Sequence, residues 1–237
     1  MRLLTSLIPL ILLLGGCAEQ GIHRKDGSPL PARDFALSNL VKSDVDMISE
    51  LTLQEALKSL RLTTEKLYRR NPQEYRKVGF DSPEAAAARI FEHLDRGKDS
   101  PIALLNWQDN FRIAFQDTYN GDRVFAFMSA LTGMVMSAYD FKTKHYLIDR
   151  LSPQKMYNCA RNIEVAVWKL SNAKSATGSK LLLSNSLDGE MQNLSFEREF
   201  GKLIAQMDLI ALIIEDRSNQ SFSRAIQNVA TFHFLPI

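Results

Sequence analysis

Residues 122–138 read DRVFAFMSALTGMVMSA, and this stretch decides the fold. From Val124 to Ala138 the only polar side-chain groups are the hydroxyls of Ser129, Thr132 and Ser137. At about 15 residues the run falls short of the roughly 20 that a bilayer crossing needs, so it reads as a central buried helix. Asp122 supplies its N-cap, and Ala126, Ala130, Gly133 and Ser137 form a small-residue stripe along which a neighbouring helix can approach closely. A helix that is apolar all round has to be sheathed by others.

Upstream, Trp107, Phe111, Phe115 and Tyr119 lie four apart and predict a helical ridge ended by Asn120 and Gly121. Ser82 and Pro83 start a helix through Ala87, Ile90, Phe91 and Leu94, with Gly97 as its stop. From Ser43 onward the helical period dominates, and Thr52 with Glu55 forms a capping-box pattern before Leu53, Ala56, Leu57, Leu60, Thr64, Leu67 and Tyr68. That helix should stop near Asn71 and Pro72.

Downstream, Ser152 and Pro153 open a helix with Met156, Ala160, Ile163, Val167 and Leu170 inward. Residues 172–193 are rich in Ser, Asn, Gly and Lys and read as one long loop with a short extended piece, long enough to be a functional candidate. Phe196 to Arg217 then repeats at helical spacing, and a separate last helix through Ala225, Ile226, Val229 and Ala230 is expected to close the core. With no alternating strand pairs and no fixed repeat, the expected fold is all-α, a single bundle of about seven helices spanning 43–237.

Composition agrees with a folded domain: 45% of residues are hydrophobic and 24% charged, which excludes both disorder and a multi-span membrane protein. The net charge of +2 gives no general pull toward nucleic acid, so no nucleic-acid partner is expected.

The N-terminus carries the sharpest motif. Met1 and Arg2 precede an apolar run from Leu3 to Leu14, too short to span a bilayer but suited to the core of a secretory signal. Leu14, Gly15, Gly16 and Cys17 follow, and this segment resembles the lipobox signal of bacterial lipoproteins. The resemblance covers only the first 20 or so residues. It implies that residues 1–16 are removed, that the Cys17 thiol receives diacylglycerol, and that the freed amine is acylated, typically with palmitate. Two or more chains anchor durably where one binds marginally. Ala18 stands where an aspartate would favour inner-membrane retention, so the resemblance points to the outer membrane's inner leaflet, facing the periplasm. Residues 17–42, with Gly21, Gly27, Pro29 and Pro31, read as the lipidated N-terminus and a tether reaching roughly 25 to 30 Å.

Chemistry is sparse. Cys159, the one other cysteine, lies in an apolar helical pattern and reads as a buried thiol without a disulfide partner. Ser152 and Lys155 have the Ser-x-x-Lys spacing of penicillin-recognising enzymes, but no Lys-Thr-Gly or Ser-Asp-Asn accompanies them, and Ser152 reads as an N-cap. His23, His93, His145 and His233 lack metal-ligand spacing, and no phosphate loop or nucleophile elbow is present, so no catalytic set, metal or cofactor is expected.

Two places hold binding candidates. Between two helices, Tyr139 to Arg150 interleaves Phe141, His145 and Tyr146 with Lys142, Lys144 and Arg150; it suits an anionic glycan, a lipid headgroup or a partner, or is a solvated connector. Glu197, Glu199, Asp208, Glu215 and Asp216 share the helix that follows the long loop, most of them on its solvated side. Asp208, flanked by Met207, Leu209 and Ile210, is either a functional carboxylate or an edge residue paired with Lys or Arg.

The expected class is therefore a membrane-anchored interaction, scaffold or assembly-factor protein with an envelope protein as partner. The alternative is an enzyme or ligand binder acting on the cell wall or a lipid. A concave pocket gathering carboxylates or His145 would favour the second. An exposed apolar patch of several hundred Å² outside any pocket would favour the first.

Overall fold

The computed structural model describes residues 42–232 apart from 147, 148 and 188, with side chains described through 219. Residues 1–41, which carry the expected export signal, Cys17 and nearly all of the tether, lie outside the described residues. The described elements are α1 (Asp44–Arg70), α2 (Pro72–Arg76), α3 (Pro83–Phe91), a 3-10 turn at Leu94–Asp99, α4 (Pro101–Leu104), α5 (Trp107–Ala114), α6 (Arg123–Ala138), α7 (Pro153–Asn172) and α8 (Ser195–Phe232). The fold is an all-α helical bundle, with no strand among the described residues.

Helix α6 is the predicted centre. The Asp122 carboxylate caps it by accepting the Phe125 N–H at 2.8 Å. Along its length only Phe125 and Ser137 are incompletely buried. It packs against α1, α3, α4, α5 and α7, while α8 lies on α1 and α7. Each large apolar side chain so enclosed, such as Phe127, Met128 or Leu131, contributes about 1.5–3 kcal/mol of burial. The small-residue stripe acts as expected at Gly133, where a Cβ would sit 3.5 Å from the Trp107 Cβ and 3.6 Å from the Ile102 carbonyl oxygen. The backbone of α6 thus approaches α4 and α5 closely.

Several boundaries differ from the expectations, each for a local reason. Helix α1 begins at Asp44, because Ser43 and Asp46 form the working capping box. Thr52 lies inside the helix and donates its hydroxyl to the Ile48 carbonyl instead. Helix α3 ends at Phe91; His93 adopts φ 57°, and the chain continues as a 3-10 turn kinked at Gly97. Helix α5 stops at Ala114, since the Arg123 guanidinium takes the Ala114, Gln116 and Asp117 carbonyls and rounds the chain into a turn. Phe115 still packs edge-on against Phe111 and Phe127.

Helix α8 runs unbroken to Phe232, so the two C-terminal helices expected from the pattern are one. Ser218 does not interrupt it, because its hydroxyl bonds back to the Ile214 carbonyl. The expected core-closing role of Ala225, Ile226, Val229 and Ala230 falls on side chains outside those described.

The segment between α7 and α8 has no helix among its described residues and carries one isolated antiparallel bridge, Lys174 to Lys180. It is held to the body by Asn71. That side chain donates to the Leu67 and Leu183 carbonyls and accepts the Leu183 N–H, all at 2.8 Å. Leu182 beside it is 1% exposed, and Arg70 pairs with Glu190.

Candidate functional site

Polar residues collect where the first turns of α1 meet the connector between α6 and α7. The inward face of α1 is apolar from Leu53 onward, but its first two turns turn Asp46, Ser49 and Glu50 inward, all buried. The connector leaves α6 through Asp140 and Phe141 at φ 52° and 57°, and the Phe141 N–H closes back on the Met136 carbonyl at 2.7 Å. Gly97 supports this bend, since a Cβ there would lie 2.8 Å from the Phe141 carbonyl oxygen. The bend then brings the His145 backbone N–H to Glu50 Oε1 at 2.8 Å.

Three carboxylates surround the His145 region, each with a cation. Glu50 takes Lys42 Nζ at 2.6 Å, with both side chains under a tenth exposed. Asp46 takes Arg217 of α8 at 3.0 Å, together with the backbone N–H and hydroxyl of Ser43. Asp149 pairs with Lys142 and accepts the Tyr146 N–H. Lys42 also lies 5.3 Å over the Tyr146 ring.

Burial works to raise the Asp46 carboxyl, but the Ser43 hydrogen bonds and the Arg217 guanidinium outweigh it and hold it below its ordinary range. The Lys142 hydrogen bond does the same for Asp149. His145 moves downward: burial disfavours the imidazolium more strongly than Asp149, Glu50 and Asp46 favour it. The residue is 1% exposed, its ring packs 5.8 Å from the Tyr139 ring, and neither ring nitrogen has a hydrogen-bond partner among the described residues. The Tyr139 hydroxyl below it is likewise buried without one.

Above His145 opens a depression of about 440 Å³, walled by α1, the connector and α8; Asp46, Ser49, Asp149, Arg150, Arg217 and Ser218 line it. The connector candidates do not act together there. Lys142 is committed to Asp149 and Lys144 is exposed; neither lines the depression.

Asp208 lies elsewhere. It pairs with Arg161 of α7 at 2.6 Å, both more than a third exposed, in a shallower groove of about 560 Å³ between α7 and α8 that shares no lining residue with the first. That is the edge pairing expected as its plainer reading. On the same helix the buried acid is Glu199, 4% exposed and met by Lys202 at 3.2 Å and Lys66 at 3.8 Å, contrary to the solvated side expected for it.

The other motifs resolve simply. Ser152 caps α7 by accepting the Lys155 N–H, and the Lys155 ammonium binds Asp140 at 2.6 Å, so the two side chains do not form a nucleophile and base. Cys159 is 2% exposed, and burial pushes its thiol up to about 12, which removes thiolate reactivity at neutral pH. Among the described residues no group of three or more His, Cys, Asp or Glu side chains is placed to hold a metal ion. No described helix is long and apolar enough to cross a membrane.

Sequence reasoning missed Lys42, Asp46, Glu50 and Arg217 as site residues. Arg217 stands 171 positions from Asp46, and no local spacing links them. A signal was present on α1, where acids at 46 and 50 extend the apolar face of 53, 56, 60 and 67 toward the N-terminus. No known protein family, characterised protein or solved structure matches this chain.

Proposed function

We propose that this chain is an exported envelope lipoprotein, lipidated at Cys17 and held on the inner leaflet of the outer membrane. Its helical domain faces the periplasm and binds another envelope protein as a scaffold or assembly factor. The address is supported by Leu14-Gly15-Gly16-Cys17 behind a short apolar run. The binding role is carried by one observation, the apolar stripe on the outer face of α7.

Tyr157, Val165 and Trp168, at 49%, 53% and 64% exposure, follow the helical period along that face. Leu209 and Leu212 of the neighbouring α8 are exposed at 60% and 62%, and Leu212 shares the Arg161–Asp208 groove with Tyr157. Single exposed apolar residues are ordinary, but an aromatic-rich stripe beside a charged pair has the make-up of an interface core and its rim. The test is a photo-reactive amino acid at Trp168 in living cells, followed by purification and mass spectrometry. One envelope protein recovered in near-equal amount, and lost when a neighbouring Val165→Ser change is added, is the expected result. Recovery of no protein, from either the lipidated chain or one exported without lipid, contradicts the scaffold reading.

The second reading, a ligand binder or enzyme acting on cell-wall or lipid material, is favoured by the depression that gathers His145, Asp46 and Asp149.

A further inference from the structure

We infer that the groove between α7 and α8 docks a basic amphipathic helix, a segment of the partner protein with apolar residues on one face and lysine or arginine beside them. The inference rests on the interface reading and adds to it the chemistry of what is bound.

The shape of the groove suits a helix. Its volume is about 560 Å³, and across it Tyr157 and Arg161 of α7 face Asp208, Leu212 and Glu215 of α8. From Tyr157 to Trp168 the axis of α7 rises roughly 16 Å, three turns, which is the span over which a docked helix presents anchors at i, i+3 or i+4, and i+7. Two packed helices receive a third by laying its side-chain ridge in the groove between them. The described residues carry no strand, so they offer an extended peptide no sheet edge to join.

Charge then selects the sign of that helix. In the groove and at its edge stand Asp208, Glu215 and Glu164 against Arg161, three carboxylates to one cation, or a net −2 on a chain whose total is +2. The Arg161 guanidinium is already divided. It meets Asp208 at 2.6 Å and Glu164 at 3.0 Å, and it lies 5.2 Å over the Tyr157 ring. Glu215 is exposed and has no hydrogen bond or ion pair among the described residues. A partner helix that brings lysine or arginine beside its apolar face complements this surplus, while an acidic helix is repelled by it. The anionic headgroups of a bilayer are repelled in the same way, which leaves a protein segment as the occupant.

The test is binding of labelled peptides of about 18 residues to the full-length chain, followed by fluorescence anisotropy; each has leucine on one helical face and lysine, glutamine or glutamate on the other. The lysine peptide should bind saturably and at least about tenfold more tightly than the glutamate peptide, with the glutamine peptide between them. Added salt should weaken the lysine peptide and spare the glutamine peptide. Glu164→Lys combined with Glu215→Lys adds two charge reversals of +2 each, taking the groove from −2 to +2, and should invert the order. Asp95→Lys, on the exposed 3-10 turn outside the groove, should preserve it. Leu212→Ser, at an exposed wall position, should weaken the lysine and glutamine peptides alike.

Glutamate or glutamine peptides bound as tightly as the lysine peptide, or an order unchanged by the double reversal, overturn the basic helix. Affinities unaltered by Leu212→Ser, or no binding of any peptide at about 1 mM, overturn the groove as the docking place. The interface reading is judged separately, by the cellular crosslink at Trp168.

Discussion

Burial lowers the proton affinity of His145 in the folded chain from the ordinary 6.5, so the unfolded chain takes up the proton first as pH falls. The stability linked to His145 is therefore complete above about 6.5 and is lost progressively below it, with a slope of at most about 1.4 kcal/mol per pH unit. Asp46 and Asp149 are both shifted down from 3.8, so their contributions are lost only at more acid pH, as it falls through their folded values. Urea unfolding at a series of pH values between 7.5 and 5 should show this slope in the native chain. It should be reduced in His145→Phe, whose ring keeps the packing on Tyr139. Equal slopes in both chains would remove His145 as the source.

At the scale of elements, two side chains each secure a structure far larger than themselves. Asp122 caps α6, accepts the Tyr68 hydroxyl at 2.8 Å and receives Arg89 at 3.1 Å. Asp122→Ala removes the cap and leaves a buried phenol unpaired, a loss of about 2–4 kcal/mol by denaturant unfolding. A change below about 0.5 kcal/mol, the ordinary range of surface substitutions, would show that the cap does not hold the helix. Asn71→Ala removes three hydrogen bonds to α1 and Leu183, so the segment between α7 and α8 should be released from the body. Proteolytic cutting within 184–194 should accelerate, and amide exchange at Leu183 should speed, while the centre of α6 stays protected.

These elements also show which parts of the fold were legible from sequence. The Asp122, Ser82-Pro83 and Ser152-Pro153 starts were read correctly because a cap is a local device, written in the residues that perform it. Thr52 misled because Ser43 offers an equivalent box nine positions earlier and the apolar face continues across both. The α5 ridge ended early because Arg123, from the next helix, takes its last carbonyls, a tertiary contact without local pattern. His145 was legible as an aromatic-basic connector residue, but its surroundings were not. Glu50 is 95 positions away and Arg217 lies on α8, both brought to it only by the tertiary fold.

For the whole molecule, the bundle separates two surfaces of different character. The depression by α1 and the connector is charged on floor and rim, whereas the outer face of α7 with α8 is apolar and aromatic. Under the proposed function the second surface meets a partner while the lipid on Cys17 keeps both beside the bilayer. That account stands on the anchor, and intact-mass analysis of the protein purified from its own cell envelope tests it most directly. A chain beginning at Cys17, heavier than its sequence by a diacylglycerol thioether and an amide-linked acyl group, is the result predicted. A chain that begins elsewhere, or carries an unmodified Cys17, contradicts it.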